Sequence, residues 1–163
     1  VRGPGPGGAL RAVIQRVSRA RVTVQDADGS WRETGAIGVG LYALLGVANG
    51  DADEDARWMA EKIAGLRIFE DDAGKMNRDV REAGGGVLAI SQFTLLGDVR
   101  KGKRPAFTDA MAPEPAKALY ARSCELLRGQ GLVVAEGEFR ATMRVEIVNE
   151  GPVTILLDSK KLF

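Results

Sequence analysis

The chain has 163 residues, 45% apolar and 28% charged, with a net charge of +1. That is the composition of one globular domain with room for a core, and no global basic field marks it as a nucleic-acid binder. It has no histidine and one cysteine, Cys124. This excludes a Ser-His-Asp triad, a Cys-His dyad, a histidine metal site, an internal disulfide and a thiolate zinc site.

Val1 to Leu10 is rich in Gly and Pro rather than apolar. It reads as a flexible extension and not as a signal peptide, so the folded domain is expected over 11–163. Ala12 to Val17 and Ala20 to Val24 alternate apolar and polar residues and predict two strands. Asp26-Ala27-Asp28-Gly29 signals a turn before a short return strand, Trp31 to Ile37. Gly40 to Val47 is a continuous apolar run bounded by glycine, as a buried strand requires. Asp51, with Glu54 three residues later, predicts the cap of a first helix. Its apolar face carries Ala56, Met59, Ala60, Ile63 and Leu66. Glu70-Asp71-Asp72-Ala73-Gly74 ends that segment. Its spacing lacks the calcium-loop pattern, which favours a solvated acidic loop over a metal site. No apolar run approaches the length of a membrane helix, so no membrane contact is expected.

Val87 to Ile90 predicts another buried strand, running into Ser91-Gln92-Phe93-Thr94-Leu95. The densest positive cluster follows, Arg100-Lys101-Gly102-Lys103-Arg104-Pro105. Pro113 suits the first position of a second helix that extends to Leu127 and stops before Gly129 and Gly131. Ala116, Leu119, Tyr120 and Leu127 form its apolar stripe, and Cys124 falls among them as a packing residue rather than a nucleophile. Leu132 to Val134, Thr142 to Val148 and Val153 to Leu157 complete the strands. The order is that of an α/β single domain with mixed strand pairing.

Three segments could carry chemistry. Ser91-Gln92-Phe93-Thr94 places a hydroxyl, an amide and backbone N–H groups where a buried strand emerges, a favoured place for ligands, although the same residues fit a plain strand end. Arg100 to Arg104 could neutralise phosphates at a nucleic-acid end, or could be a solvated loop. Little aromatic interleaving exists beyond Phe107, so a stacking platform for long single strands is not indicated. Asn149-Glu150-Gly151-Pro152-Val153-Thr154 joins two strand-like runs. Glycine permits close approach and proline fixes its own φ, so the flanking carbonyls could receive a small ammonium group. The same residues also fit an ordinary hairpin turn.

Ala12-Val13-Ile14-Gln15-Arg16-Val17, Ser91 to Leu95 and Asn149 to Thr154 together resemble the D-aminoacyl-tRNA deacylases. Leu66-Arg67-Ile68-Phe69, Gly74-Lys75-Met76-Asn77 and Lys101-Gly102-Lys103-Arg104-Pro105 extend the resemblance to nearly everything from Arg11 to Asp158. It implies a compact barrel-like mixed β structure with two main flanking helices. It implies a cytoplasmic homodimer that hydrolyses the ester joining a D-amino acid to tRNA, with no metal and no cofactor. The Gly151–Pro152 bond would be cis and the pair inserted in the partner subunit's pocket, held in position by Arg16. Ser91, Gln92, Phe93 and Thr94 would line that pocket, and Lys101, Lys103 and Arg104 would meet the tRNA.

An aminoacyl ester is already activated and needs a positioned water and a stabilised oxyanion, which the Phe93 and Thr94 N–H groups could supply. The resemblance offers Thr94 as nucleophile or, alternatively, the 2′-hydroxyl of the terminal adenosine as catalyst. No evident general base stands ready to activate Thr94. If the Gly151 and Pro152 carbonyls hold the ammonium, an L side chain strikes the Gly-Pro backbone and a D side chain points outward. Achiral glycine escapes such a clash, so glycyl-tRNA is an expected second substrate. The sequence departs from the family at Ala106, where serine is common, and at Thr142, where an acid is frequent. A nucleic-acid-binding module without hydrolysis, and a hydrolase of free D-amino-acid esters, are the alternatives.

Overall fold

The computed structural model describes residues 9–163. Residues 1–8, most of the expected extension, lie outside the described residues. Leu10 does not behave as extension: it is fully buried, its N–H donates to Ser159 Oγ at 3.0 Å, and its carbonyl accepts the Ser159 N–H at 2.9 Å.

Strand β1 (Arg11–Gln25) organises the sheet. The sequence pattern predicts two strands here, because the buried parity slips between Ile14 and Val17 and again before Ala20. The structure keeps one strand and absorbs both slips as irregularities in its register with the C-terminal strand. One edge of β1 pairs antiparallel with β2 (Trp31–Ile37) and β3 (Gly40–Gly46) in succession. The helix α1 (Asp53–Gly65) and a small hairpin, β4 (Phe69–Glu70) with β5 (Met76–Arg78), follow. Then β6 (Gly86–Ser91) pairs parallel with β3, and β7 (Val134–Glu136) pairs parallel with β6 after the helix α2 (Pro113–Gly129). The sheet curls until Thr34 Oγ1 of β2 donates to the Glu136 carbonyl of β7 at 3.1 Å, nearly closing a barrel. The last strand, β8 (Met143–Asp158), covers the other edge of β1 along nearly its whole length.

Alternating side chains of the buried strands feed two cores. Leu41, Ala43, Leu45, Val87 and Ala89 face the helices with Met59, Ile63, Cys124 and Leu127. Tyr42, Leu88 and Ile90 face the barrel interior with Val17, Ala20 and Val22. Burial on both sides is why these strands read as unbroken apolar runs. Truncating a wholly buried residue such as Ile63 to Ala costs about 2–5 kcal/mol.

The first helix starts one residue later than its predicted cap. Its N-cap is Ala52, whose N–H donates to Asp55 Oδ2 at 2.9 Å. Asp51 turns back to accept the Ala48 N–H at 2.7 Å instead. Asp51 Oδ1 is buried without a hydrogen-bond partner among the described residues, and burial pushes this carboxyl up to about 6.

Candidate active site

Strand β6 ends at Ser91, and the Gln92 N–H still donates to the Leu45 carbonyl at 2.8 Å. The predicted continuation of the strand through Leu95 is replaced by a 3-10 turn, Phe93–Leu96. Gly46 makes room for it: a Cβ there would come within 2.7 Å of Leu96 Cδ2, 2.9 Å of Leu95 Cβ and 3.0 Å of the Gln92 carbonyl. The turn's first N–H groups, those of Phe93 and Thr94, have no protein acceptor among the described residues, as helical geometry leaves them. Gln92 Nε2 donates to Thr94 Oγ1. An amide takes no proton at neutral pH, so this neighbour cannot activate the hydroxyl as a nucleophile. The Phe93 side chain is 57% exposed and stacks edge-on against Phe107, with ring centroids 5.0 Å apart.

The basic segment projects beside this turn as a loop closed by the Asp98–Ala106 bridge. Arg100 folds back on Asp98, with Nη2 to Oδ2 at 2.7 Å, and holds that carboxyl down at about 2. Lys101, Lys103 and Arg104 are exposed and, among the described residues, carry no ion pair. One cation of the cluster is thus neutralised internally and three face solvent.

The Gly-Pro segment is not a hairpin turn. Both flanking runs belong to β8 and pair in the same direction with β1. Between Gln15 and Val17 two steps along β1 face five along β8, from Asn149 to Thr154, so Gly151 and Pro152 bulge outward and are exposed. The Gly151–Pro152 peptide is cis. Arg16 sits beside the irregularity and clamps it: Nε donates to the Glu150 carbonyl at 3.0 Å and Nη1 to the Ile68 carbonyl at 2.7 Å. Asn149 Oδ1 accepts the Val153 N–H at 3.1 Å, closing the bulge from within. Gln15 Nε2 adds a bond to Thr154 Oγ1 at 3.2 Å. Gly151 has φ +131°, a conformation L side chains rarely adopt, and a Cβ there would lie 2.8 Å from Val153 Cγ2 and 3.0 Å from Arg16 Nη2.

One chain does not bring the two segments together. Register puts Ser91 level with Ala12 through Leu45, whereas the bulge lies level with Arg16 on the opposite edge of β1. Four residues along the strand and three strand spacings across it amount to roughly 15–20 Å. Two surface clefts, about 440 and 480 Å³, lie elsewhere, one along Trp58 and Lys62 and the other between Lys117 and Phe139. Neither segment lines them. Among the described residues no group of three or more Cys, Asp or Glu is arranged to hold a metal ion, and no helix is long and apolar enough to cross a membrane. Cys124 is buried, and desolvation pushes its thiol up to about 12, so it is not a nucleophile.

The family model for D-Tyr-tRNA(Tyr) deacylase matches residues 13–158. The chain belongs to the D-Tyr-tRNA(Tyr) deacylase family. It is 62% identical to a D-aminoacyl-tRNA deacylase of Anaeromyxobacter dehalogenans over 154 residues, 94% of this chain and 100% of that one. It is 56% identical to a D-aminoacyl-tRNA deacylase of Thermotoga petrophila over the same shares. Among solved structures, the c-Myc DNA unwinding element binding protein superposes with a TM-score of 0.81 at 42% identity, covering 90% of this chain and 97% of that one. A structure described as a "probable eukaryotic D-amino acid tRNA deacylase" gives a TM-score of 0.76 at 20% identity over 92% and 99%, a likeness of fold alone. The barrel-like α/β fold with two helices, expected from the sequence, is that of the family.

Sequence reasoning missed the contributions of Asn149 and Gln15, whose side chains shape the bulge. An amide residue two positions before a Gly-Pro pair is the available signal, since Asn readily accepts from backbone N–H groups a few residues on.

Proposed function

We propose that this chain hydrolyses the ester bond of D-aminoacyl-tRNA, releasing the free D-amino acid and tRNA. Family membership over nearly the whole chain carries the reading. In the chemistry we infer, water attacks the ester carbonyl carbon and the oxyanion forms against the Phe93 and Thr94 N–H groups. Collapse then expels the 3′-oxygen of the terminal ribose, which takes up a proton. Thr94 lines the pocket rather than attacking, and the ribose 2′-hydroxyl assists. Ser91 and Gln92 shape the same wall.

The filter for handedness in this reading is main chain. The Gly151 and Pro152 carbonyls grip the α-ammonium, and Arg16 holds them in place. The separation of roughly 15–20 Å within one chain supports delivery of that pair by a second copy, hence a homodimer with each bulge in the partner's pocket. Lys101, Lys103 and Arg104 lie beside the turn, where the acceptor end of tRNA would arrive. Free charged tRNA makes the cytoplasm the place of action. Glycyl-tRNA, which has no side chain to clash, is a second substrate.

One observation favours a different reading: the 42% identical relative of solved structure is named for DNA binding. Binding without hydrolysis predicts retention of nucleic acid with no ester cleavage. Incubation with D-tyrosyl-tRNA, glycyl-tRNA and free D-tyrosine methyl ester separates the cases. We expect cleavage of both tRNA esters and little of the free ester. No cleavage of D-tyrosyl-tRNA overturns the deacylase reading, and equal cleavage of the free ester overturns tRNA as the substrate. Undetectable glycyl-tRNA cleavage at high protein concentration overturns the steric filter.

A further inference from the structure

Arg11 stands at the start of β1, in register with Gly46 of β3 on one side and Asp158 of β8 on the other. Its guanidinium spans three elements. Nε donates to Asp158 Oδ2 at 3.3 Å, and Nη1 donates to the Leu95 carbonyl at 3.3 Å. The Asp158 side chain has no solvent exposure, and its Oδ1 accepts the Lys160 N–H at 2.8 Å, so the carboxylate is fixed. Leu95 belongs to the 3-10 turn whose first N–H groups, those of Phe93 and Thr94, have no protein acceptor among the described residues. A turn of four residues holds itself poorly, because few internal bonds offset the cost of ordering it. Two of its residues, Phe93 and Thr94, are exposed. Among the contacts that seat it are the Gln92 N–H on the Leu45 carbonyl, the apolar contact of Leu96 over Gly46, the edge-on packing of Phe93 against Phe107, and Arg11.

We propose that Arg11, anchored by buried Asp158, is a positioning residue for deacylation: it fixes the turn on the end of the sheet and so sets the direction of the Phe93 and Thr94 N–H groups. This rests on the oxyanion role given to those groups above. Arg11 touches neither group directly. It acts through the Leu95 carbonyl, further along the same turn, and its partner is a buried carboxylate that also accepts the Lys160 N–H. A shift of about 1 Å in donors aimed at a developing charge costs up to ~100-fold in rate. Loss of the Arg11 contact, one support among several, is expected to cost about tenfold.

The test is steady-state hydrolysis of D-tyrosyl-tRNA by full-length Arg11→Met, Arg11→Lys and Asp158→Asn, with rates normalised to folded protein by circular dichroism. We expect kcat to fall about tenfold in Arg11→Met and KM to stay within twofold. The salt dependence of kcat/KM should be unchanged, and Arg11→Lys should recover part of the loss, because an ammonium can still donate to one of the two oxygens. Asp158→Asn should shift kcat in the same direction. A raised KM with a shallower salt dependence and unchanged kcat would mean that Arg11 meets phosphate, and would overturn the proposal. A kcat loss that vanishes on normalisation, or equal loss in Arg11→Lys and Arg11→Met, would overturn it as well.

A second pair separates this proposal from the reading beneath it. Phe93→Pro deletes the Phe93 N–H at the first position of the turn, where proline is tolerated and the preceding Gln92, at φ −142°, ψ 89°, already lies outside the α region that proline disfavours. Phe93→Ala removes the ring and keeps the N–H. Equal activity of the two removes the oxyanion role. A dead Phe93→Pro beside an active Phe93→Ala and a fully active Arg11→Met removes only the role of Arg11.

Discussion

Gly151→Ala is the sharpest perturbation of the bulge. The new side chain must take φ +131°, and its Cβ would press on Val153 Cγ2 at 2.8 Å, Arg16 Nη2 at 3.0 Å and Val153 N at 3.1 Å. Holding an L residue in such a backbone region costs on the order of 1–3 kcal/mol. At roughly 2–4 °C per kcal/mol for a chain of this size, melting should fall by about 2–12 °C. Gly29 provides the matched control. It has φ +86°, with nothing within 4 Å of the Cβ position, in the turn between β1 and β2. Gly29→Ala therefore pays the conformational penalty without disturbing the Arg16 clamp. Deacylation of D-tyrosyl-tRNA, followed as acid-precipitable label, should drop at least ~100-fold in Gly151→Ala and stay near wild type in Gly29→Ala. A folded Gly151→Ala with activity within threefold of wild type would refute the claim that these carbonyls must be held in place.

Thr94→Ala should keep activity within about tenfold of wild type in the same assay, whereas a nucleophile would cost ~10⁴-fold or more. Replacing Lys101, Lys103 and Arg104 together by Ala should raise KM for tRNA about tenfold. It should also flatten the plot of log kcat/KM against log salt by about 2–3, which a salt titration checks. Asp51→Asn should stabilise the fold at pH 8 but not at pH 4. The folded carboxyl is raised from 3.8 to about 6 by burial, so its favourable protonated form is fully present below pH 4 and is lost as pH rises through 6. A carboxyl shifted that far corresponds to at most about 3 kcal/mol, and partial exposure lowers this to on the order of 1–2 kcal/mol. Urea melts of both proteins at the two pH values measure the difference.

The buried strands were legible because burial on both faces leaves an unbroken apolar run, as in Gly40–Gly46 and Gly86–Ser91. Both helices were legible from their periodicity, but the cap of the first shifted, since Asp51 turns back to the Ala48 N–H and Asp55 takes the Ala52 N–H. What failed was decided by tertiary contact. Whether Gln15–Arg19 breaks a strand depends on the partner strand taking up the slack, which no local pattern records. Phe93-Thr94-Leu95 has strand composition and becomes a 3-10 turn because Gly46 leaves space beneath it. The short hairpin Phe69–Arg78 hid within an acidic run, where Asp71 accepts from Ala73, Lys75 and Asn77. Its value to the site is the Ile68 carbonyl that Arg16 also holds. The residues of the bulge were visible as a motif, while its geometry, an outward loop in a continuing strand, was not.

A paired time course with D-tyrosyl-tRNA and L-tyrosyl-tRNA, at one enzyme concentration, tests the main-chain filter most directly. The D substrate should be hydrolysed at least ~100-fold faster, a difference of about 2.8 kcal/mol between the two transition states. Comparable rates on the two mirror-image substrates would contradict it.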